Sequence, residues 1–272
     1  MGVSATRSSA VVTFIAVCVS VVLVCVGGLM STPQNAYAKG KSTAWVVSKV
    51  VYTDYQSDAG TETSTYTYTK KGLFKSKKLK GGEGVDKYAE TTTYTYGAKG
   101  NMKSEVSKST GVYADSFKKV YKANKKGYVV KAIEDGSTTH TYTYNKKGRL
   151  VKHVLYESCS TFKYNAKGRV KSEKTGNVDE SDRTTFTYTY DKRGTVSKVV
   201  FDGGRSKMKN VYKNGRLVKQ SVYGVEDGSS ILLETYSYKY KKVSVASSMA
   251  KMVKAQQKNL INRTLPIEAI HK

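Results

Sequence analysis

The residues with the most regular spacing are basic residues that lie just before a recurring glycine. A row of ammonium groups attracts phosphates, sulfates and carboxylates and supports multivalent contact with an anionic polymer. The alternative is that lysines at turns keep a tyrosine-rich sheet soluble and blunt its pairing edges. The candidate polyanion-binding residues are Lys70, Lys71, Lys99, Lys125, Lys126, Lys146, Lys147, Lys167, Lys192 and Arg193.

Catalytic and metal chemistry has less support in the sequence. His140 and His153 flank one hairpin, and we interpret them as a surface pair on its threonine-rich face without a third ligand. Acidic residues such as Asp135 and Asp182 fall in turn-like links. No nucleophile elbow, phosphate-binding loop or dinucleotide fingerprint is present. We therefore predict no enzymatic activity, no cofactor and no metal. A secreted polysaccharide-processing enzyme that draws a carboxylate pair from separate strands is the alternative.

The composition indicates an anionic partner. The chain has 272 residues, with 47 Lys plus Arg against 21 Asp plus Glu, which gives a net charge of +26. Three Cys and three His are too few for a disulfide scaffold or a metal-built fold. Nucleic acid is an alternative partner, but the tyrosines alternate toward the face that we expect to be buried, where bases could not stack on them.

The N-terminal residues predict export. An apolar stretch at residues 10–29 follows Arg7 and precedes Ala36-Tyr37-Ala38, which is the pattern of a secretory signal peptide at residues 1–38. An uncleaved membrane anchor is the alternative. The long signal without a lipobox favours a Gram-positive bacterium and a secreted or surface location. After cleavage Cys159 is the single thiol, which we interpret as a small buried side chain.

One sequence unit recurs along the chain at intervals of 20–28 residues. In order, the unit contains two tyrosines separated by one residue, then Asn or Asp, then two residues that are mostly basic, and then Gly. The glycine is often followed by Arg and an aliphatic residue. The clearest copies lie at 142–150, 162–170 and 188–196. Such periodicity predicts stacked supersecondary units. The recurring glycines are Gly72, Gly100, Gly127, Gly148, Gly168, Gly194 and Gly215.

Each unit predicts a β-hairpin. Asn145 starts a type I turn and Gly148 supplies the left-handed residue of a bulge. In this register Asn145 faces Arg149, Leu150 lies opposite Tyr144, and Lys152 lies opposite Tyr142. Aromatic and aliphatic residues then share one face and threonines the other, as expected for a sheet that is buried on one side.

The whole pattern predicts an all-β fold followed by one helix. From Trp45 to Val245 we count about 16 strands in an antiparallel up-and-down meander, a rolled sheet or barrel-like shell that occupies residues 39–246. Residues 247–272 are predicted as a C-terminal amphipathic helix and tail. Ser247 and Ser248 cap the helix, and its apolar face covers an open end of the sheet. The alternative is a helix that lies on a membrane. We expect the tail from Pro266 to be loose.

The repeated unit resembles the tyrosine-aspartate (YD) repeat of Rhs-type bacterial surface proteins over roughly residues 60–240. The resemblance implies a rolled β-sheet that forms a shell or an extended surface module. The chain is much shorter than the long Rhs shells, with no recognisable self-cleavage segment or toxin domain after the repeats, so a toxin-encapsulating role is not expected. We therefore predict an exported, non-enzymatic surface protein that binds anionic wall or host glycopolymers. The oligomeric state is left open.

Overall fold

The computed structural model describes residues 41–56, 60–82, 87–111, 114–178, 183–226 and 228–269. The predicted signal peptide at residues 1–38 lies outside them. Among the described residues, no helix is both long and apolar enough to cross a membrane. Cys159 is free and buried, as the sequence predicted.

The fold is a closed barrel of sixteen antiparallel strands, which confirms the predicted meander. Each strand pairs with its neighbours in sequence, and β1 pairs with β16 from Lys41↔Ala246 to Asp54↔Glu234. The sheet is therefore a closed barrel and not an open rolled sheet. The strands are β1 Lys41–Asp54, β2 Thr61–Tyr68, β3 Phe74–Gly81, β4 Tyr88–Tyr96, β5 Met102–Gly111, β6 Ser116–Ala123, β7 Val129–Glu134, β8 Ser137–Tyr144, β9 Leu150–Leu155, β10 Ser158–Tyr164, β11 Val170–Asn177, β12 Thr184–Tyr190, β13 Val196–Phe201, β14 Gly204–Lys213, β15 Arg216–Glu226 and β16 Ser229–Ala246.

The predicted hairpin turn is present. Asn145 N–H donates to Arg149 O and Gly148 N–H donates to Asn145 O, each at 2.9 Å. Gly148 has φ 72°, in the left-handed region that favours glycine. The Asn145 side chain accepts two further hydrogen bonds, from the backbone N–H groups of Lys147 at 3.0 Å and Arg149 at 3.1 Å. The glycine and the asparagine of the repeat therefore form the turn.

The register beyond the turn differs from the prediction. Leu150 lies opposite Tyr144 as expected, but Lys152 lies opposite Thr143 and His153 lies opposite Tyr142. The cause is a register shift between Thr143 and Tyr144, in addition to the bulge at Gly148, that adds one residue to β9. The same shift recurs before Tyr68, Tyr96, Ala123, Tyr164, Tyr190 and Tyr212.

The tyrosines explain how consecutive hairpins hold together. The first tyrosine of a unit fills the barrel interior, as with Tyr142, which is 4% exposed. The second donates its hydroxyl to a carbonyl of the preceding hairpin: Tyr164 to Leu150 O at 2.6 Å and Tyr190 to Val170 O at 2.7 Å. The arginine after the glycine lies over the same tyrosine, as Arg149 does over the Tyr164 ring at 5.4 Å. The repeated motif is therefore largely an architectural one.

A helix covers the end of the barrel where the glycine turns lie. A 3₁₀ turn at Ser247–Met249 leads into α1, Ala250–Asn262, whose N-cap is Met249 and not a serine. Met252 and Val253 are buried, and a Cβ on Gly100 or Gly72 would lie 2.9 Å or 3.2 Å from their side chains. The prediction that the helix covers one end of the barrel is confirmed. The prediction that Ser247 and Ser248 cap the N-terminus of the helix is wrong.

The tail after α1 is not loose, contrary to the prediction. Leu265 and Ala269 are 1% and 4% exposed, and a short 3₁₀ turn follows at Ile267–Ala269. The Arg263 guanidinium lies 3.6 Å from the centre of the Tyr236 ring and donates to Tyr238 Oη at 2.8 Å. The tail is buried because it fills the interior that the strands enclose.

Candidate functional site

All predicted polyanion-binding residues lie at one end of the barrel. In an up-and-down barrel, the connections from each even-numbered strand to the next odd-numbered strand share an end. The turns that follow β2, β4, β6, β8, β10 and β12 carry the candidate residues, and every one of their side chains is exposed. We call the set the basic rim. It consists of Lys70, Lys71, Lys99, Lys125, Lys126, Lys146, Lys147, Lys167, Lys192 and Arg193.

The basic rim is continuous. Adjacent turns are two strands apart, about 9–10 Å along the barrel wall. Their side chains bridge that gap: Lys99 Nζ donates to Lys125 O at 2.6 Å, and a Cβ on Gly194 would lie 2.6 Å from the Arg169 guanidinium. Neighbouring turns are thus held in fixed relation to each other, and their charges form an arc.

The helix adds charge inside this arc. Lys251 and Lys254 are exposed on α1, which lies across the barrel mouth. Burial and the positive charges of Arg169 and Lys254 lower the pKa of Lys258. Burial is the larger cause, and Arg169 and Lys254 contribute because their charges lie close to Lys258 at the mouth. The sequence does not indicate that the helix lysines lie near the turn lysines, because their proximity depends on where the helix docks.

Acidic residues collect at the opposite end. The exposed link residues Asp115, Asp135, Glu157 and Asp202 lie there. Within the described rim turns, Asp191 is the single acidic residue, and it accepts hydrogen bonds from the Tyr212 hydroxyl at 2.5 Å and the Asn210 amide at 3.1 Å. The exposed acidic residues of the described turns and links therefore lie mostly at the end opposite the basic rim, where exposed basic residues such as Lys87 and Arg205 also lie.

Closure of the barrel weakens one alternative for the rim lysines. Lysines blunt the free edges of open sheets, but each described strand has a partner on both sides. Edge protection therefore does not explain these lysines, whereas a solubilising role does not depend on an edge. The buried tyrosines, such as Tyr66 and Tyr188, are not available to stack nucleic-acid bases.

The predicted surface position of the histidine pair was wrong. His140 and His153 are each 5% exposed and lie in the interior rather than on the threonine-rich outer face. His140 Nδ1 and His153 Nε2 are 2.9 Å apart, and the rings are stacked with centroids at 5.1 Å. His153 faces inward because of the register shift between Thr143 and Tyr144. The extra residue in β9 moves the side chain of His153 from the outer face to the inner face. His140 alternates with Tyr142 and Tyr144 and so shares their inward face.

A third group joins the histidines. One ligand atom each of His140, His153 and Glu268 lie within 4.8 Å of one another, and all three residues are buried. The Tyr142 hydroxyl donates to Glu268 at 2.5 Å. The expectation that no third ligand stands near the pair was therefore wrong. We call these three residues the His–His–Glu cluster.

Burial sets the charge of this cluster. It lowers the pKa of His140 to about 3 and that of His153 to about 4, with a further contribution from the positive charge of Lys119. Both imidazoles are therefore neutral at pH 7. Burial and the neighbouring carboxylate of Glu105 raise the pKa of Glu268 to about 7.

Two cavities accompany these features. One of about 60 Å³ is lined by apolar residues with Gln220, Arg263 and Glu234. A cleft of about 470 Å³ opens at the rim between residues 124–130 and 142–145 and has no carboxylate in its wall. Neither of these two cavities contains the pair of facing carboxylates that glycoside hydrolysis requires.

These observations define the chain as a closed barrel of hairpin repeats whose rim is basic and whose mouth is covered by its own C-terminal helix. No family model and no curated protein matches the chain. It is similar to the crystal structure of a porin-like protein from Bacteroides uniformis, with 15% identity and a TM-score of 0.46 over 72% of this chain and 98% of the other.

Two toxin structures are also similar to the chain. They are the crystal structure of TcdB2-TccC3, with 11% identity and a TM-score of 0.32 over 70% of this chain and 14% of the other, and the Photorhabdus luminescens Tc holotoxin pore, with 12% identity and a TM-score of 0.32 over 84% and 13%. At these identities and TM-scores, none of the three similarities carries a functional argument.

Proposed function

We propose that the chain is an exported, non-enzymatic β-repeat protein, and that its basic rim binds anionic glycopolymers at the bacterial surface or in the medium. The observation that carries this proposal is the placement of ten exposed basic residues on six consecutive turns at one end of a closed barrel. Repeated charges about 9–10 Å apart suit a long polyanion, because many weak contacts add up to one strong one.

The placement of the exposed acidic residues supports an oriented contact. With acids at the far end and Lys251 and Lys254 on the covering helix, the mouth faces a polyanionic surface and the links face away. The outward strand positions are suited to water, since they hold threonines such as Thr143 and Thr189, which are exposed. These features belong together in a protein that lies outside the cell against a charged polymer.

As part of this proposal, the chain is a short Rhs/YD-type surface protein of a Gram-positive bacterium. Support comes from the turn hydrogen bonds of Asn145 and Gly148 and from the inter-hairpin bonds of Tyr164 and Tyr190, which give each position of the motif a structural task. For export, the test is the intact mass of protein recovered from the culture medium. We expect a chain that begins at Lys39. Recovery only in membranes, with residues 1–38 retained, would support an anchor instead.

The rim is tested by separating the number of charges from their placement. The rim variant changes Lys125, Lys126, Lys146, Lys147, Lys167 and Lys192 to Gln. The matched control changes Lys78, Lys108, Lys174, Lys207, Lys219 and Lys239, which are exposed on strands, to Gln. Both variants lose the same charge.

Binding to heparin and to poly(glycerol phosphate) is measured for both variants over a range of salt concentrations. We expect the rim variant to bind at least about tenfold more weakly than the control at the same ionic strength, with a shallower dependence on salt, because a contiguous set of contacts releases counterions together. Superimposable binding curves for the two variants would refute the rim as a site.

A further inference from the structure

The His–His–Glu cluster joins three segments of the barrel. His140 lies on β8, His153 lies on the adjacent β9, and Glu268 lies on the tail that fills the interior. Two imidazoles and one carboxyl group, with ligand atoms within 4.8 Å of one another, form the donor set of zinc sites that have three protein ligands.

The distance between the two nitrogens suits coordination to one ion. Zn–N bonds are about 2.0–2.1 Å long, so a pair of ligand nitrogens at 2.9 Å subtends an angle of about 90° at the metal. A tetrahedral angle requires a separation of about 3.3 Å, which a shift of a few tenths of an ångström supplies. The competing account is that the same 2.9 Å is only a hydrogen bond in which one imidazole donates to the other.

The strand geometry around His140 occurs at two of the link-side pairings of this barrel. The pairing of β7 with β8 shifts register between Ala132 and Ile133, which leaves Thr139 as an extra residue immediately before His140. The pairing of β15 with β16 shifts in the same way between Val222 and Tyr223, whereas those of β3–β4, β5–β6, β9–β10, β11–β12 and β13–β14 do not. A bulge re-aims the neighbouring side chain and is over-represented beside functional sites.

Neighbouring side chains hold two of the three proposed ligands in position. The Tyr142 hydroxyl holds the Glu268 carboxylate, and the Tyr142 ring stacks on His153 with centroids at 4.9 Å. Such partners orient the ligands of metal sites. The nearby ammonium of Lys119 is balanced by Glu105 at 3.6 Å and Glu134 at 3.7 Å. Tyr142, which contacts the cluster, also lines the rim cleft between residues 124–130 and 142–145.

We propose that His140, His153 and Glu268 bind one divalent transition-metal ion of the Zn²⁺ class, and that the ion fastens the C-terminal tail to the barrel wall. Imidazole nitrogens favour such ions over Ca²⁺ and Mg²⁺, which prefer oxygen ligands. The fourth position is left to water. This site is independent of the basic rim and of what the rim binds.

The test uses the chain as the expressing cell releases it, treated with a chelator and dialysed against Zn²⁺. Metal analysis is expected to give one Zn²⁺ per wild-type chain. His153→Gln and Glu268→Gln are expected to weaken binding at least about tenfold. The matched control is Glu157→Gln, an exposed link carboxylate, which is expected to leave the affinity unchanged. Circular dichroism of each variant verifies that the barrel has formed.

Two measurements on the wild-type chain avoid dependence on the variants. Bound Co²⁺ is expected to give the visible absorption of a four- or five-coordinate ion. Zn²⁺ at a hundredfold excess over Kd is expected to raise the melting temperature by about 5–10 °C and to slow amide hydrogen exchange in residues 263–269. Absence of stoichiometric Zn²⁺ in the wild-type chain, or equal affinity in His153→Gln and Glu157→Gln, would overturn the proposal and leave a hydrogen-bonded histidine pair.

Discussion

Replacing Gly148 by Ala tests the rim turns most directly. Gly148 has φ 72°, and an L residue in this region costs about 1–2 kcal/mol. A Cβ at this position would also lie 2.3 Å from the hydroxyl oxygen of Tyr128 and 2.8 Å from Cζ of the same ring. The ring, which packs against Tyr144 with centroids at 5.1 Å, must therefore move. Overpacking of this kind adds about 1–3 kcal/mol.

Gly203→Ala separates the two contributions. Gly203 has φ 87° and nothing within 4 Å of a Cβ, so its replacement costs the backbone contribution alone. Thermal unfolding followed by circular dichroism measures both variants. We expect Gly203→Ala to lower the melting temperature by about 2–8 °C and Gly148→Ala to lower it by about twice as much. Lys147→Ala, at an exposed turn position, is expected to change it little.

The contact with Tyr128 can be tested in turn by a double-mutant cycle. In a Tyr128→Ala background the clash is absent, so Gly148→Ala should cost about as much as Gly203→Ala does in the wild type. Equal losses for Gly148→Ala and Gly203→Ala in the wild-type background would refute the close approach of neighbouring turns. Equal losses for Gly148→Ala and Lys147→Ala would refute the hairpin register itself.

Two further predictions concern the interior. Tyr164→Phe should lower the free energy of unfolding by about 1 kcal/mol, because it removes the hydrogen bond to Leu150 O, whereas Tyr156→Phe, on a side chain that is 67% exposed, should not. Arg263→Met should cost about 3–5 kcal/mol in urea unfolding, because it removes the buried cation beside Glu234, whose positive charge partly opposes the burial that raises the pKa of that carboxyl group. An unchanged midpoint and slope for Arg263→Met, relative to the exposed-site control Lys254→Met, would contradict that assignment.

The hairpins could be predicted from the sequence because their signals are local. Asn145 and Gly148 specify the turn, and alternation of tyrosine with threonine specifies the faces. The inward position of His140 could also have been predicted, since His140 alternates with Tyr142 along the same strand. His153 was not, because an extra residue in β9 reverses the alternation and a bulge leaves no mark in composition.

The third member of the cluster had no local signal. Glu268 is 126 residues from Tyr142, to which it is hydrogen-bonded, and it lies in a short segment with no periodicity. Its burial depends on the barrel being closed and on the helix covering one mouth. Closure itself depends on pairing β1 with β16, and nothing in either strand identifies the other as its partner. Features of this kind come from the assembled topology.

Closure also has a consequence for the order in which the chain folds. The strand that begins at Lys41 needs β16 as its neighbour, and Val47 N–H donates to Gln257 Oε1 across 210 residues of sequence. Joining points about 200 residues apart costs about 5 kcal/mol in chain entropy, beyond a constant, so the hairpins can form early while the ring closes late. The tail can fill the interior only after β16 and the helix have been made. A chain that emerges N-terminus first thus exposes its tyrosine face until residues 247–269 arrive, and it is most vulnerable to aggregation and proteolysis during that interval.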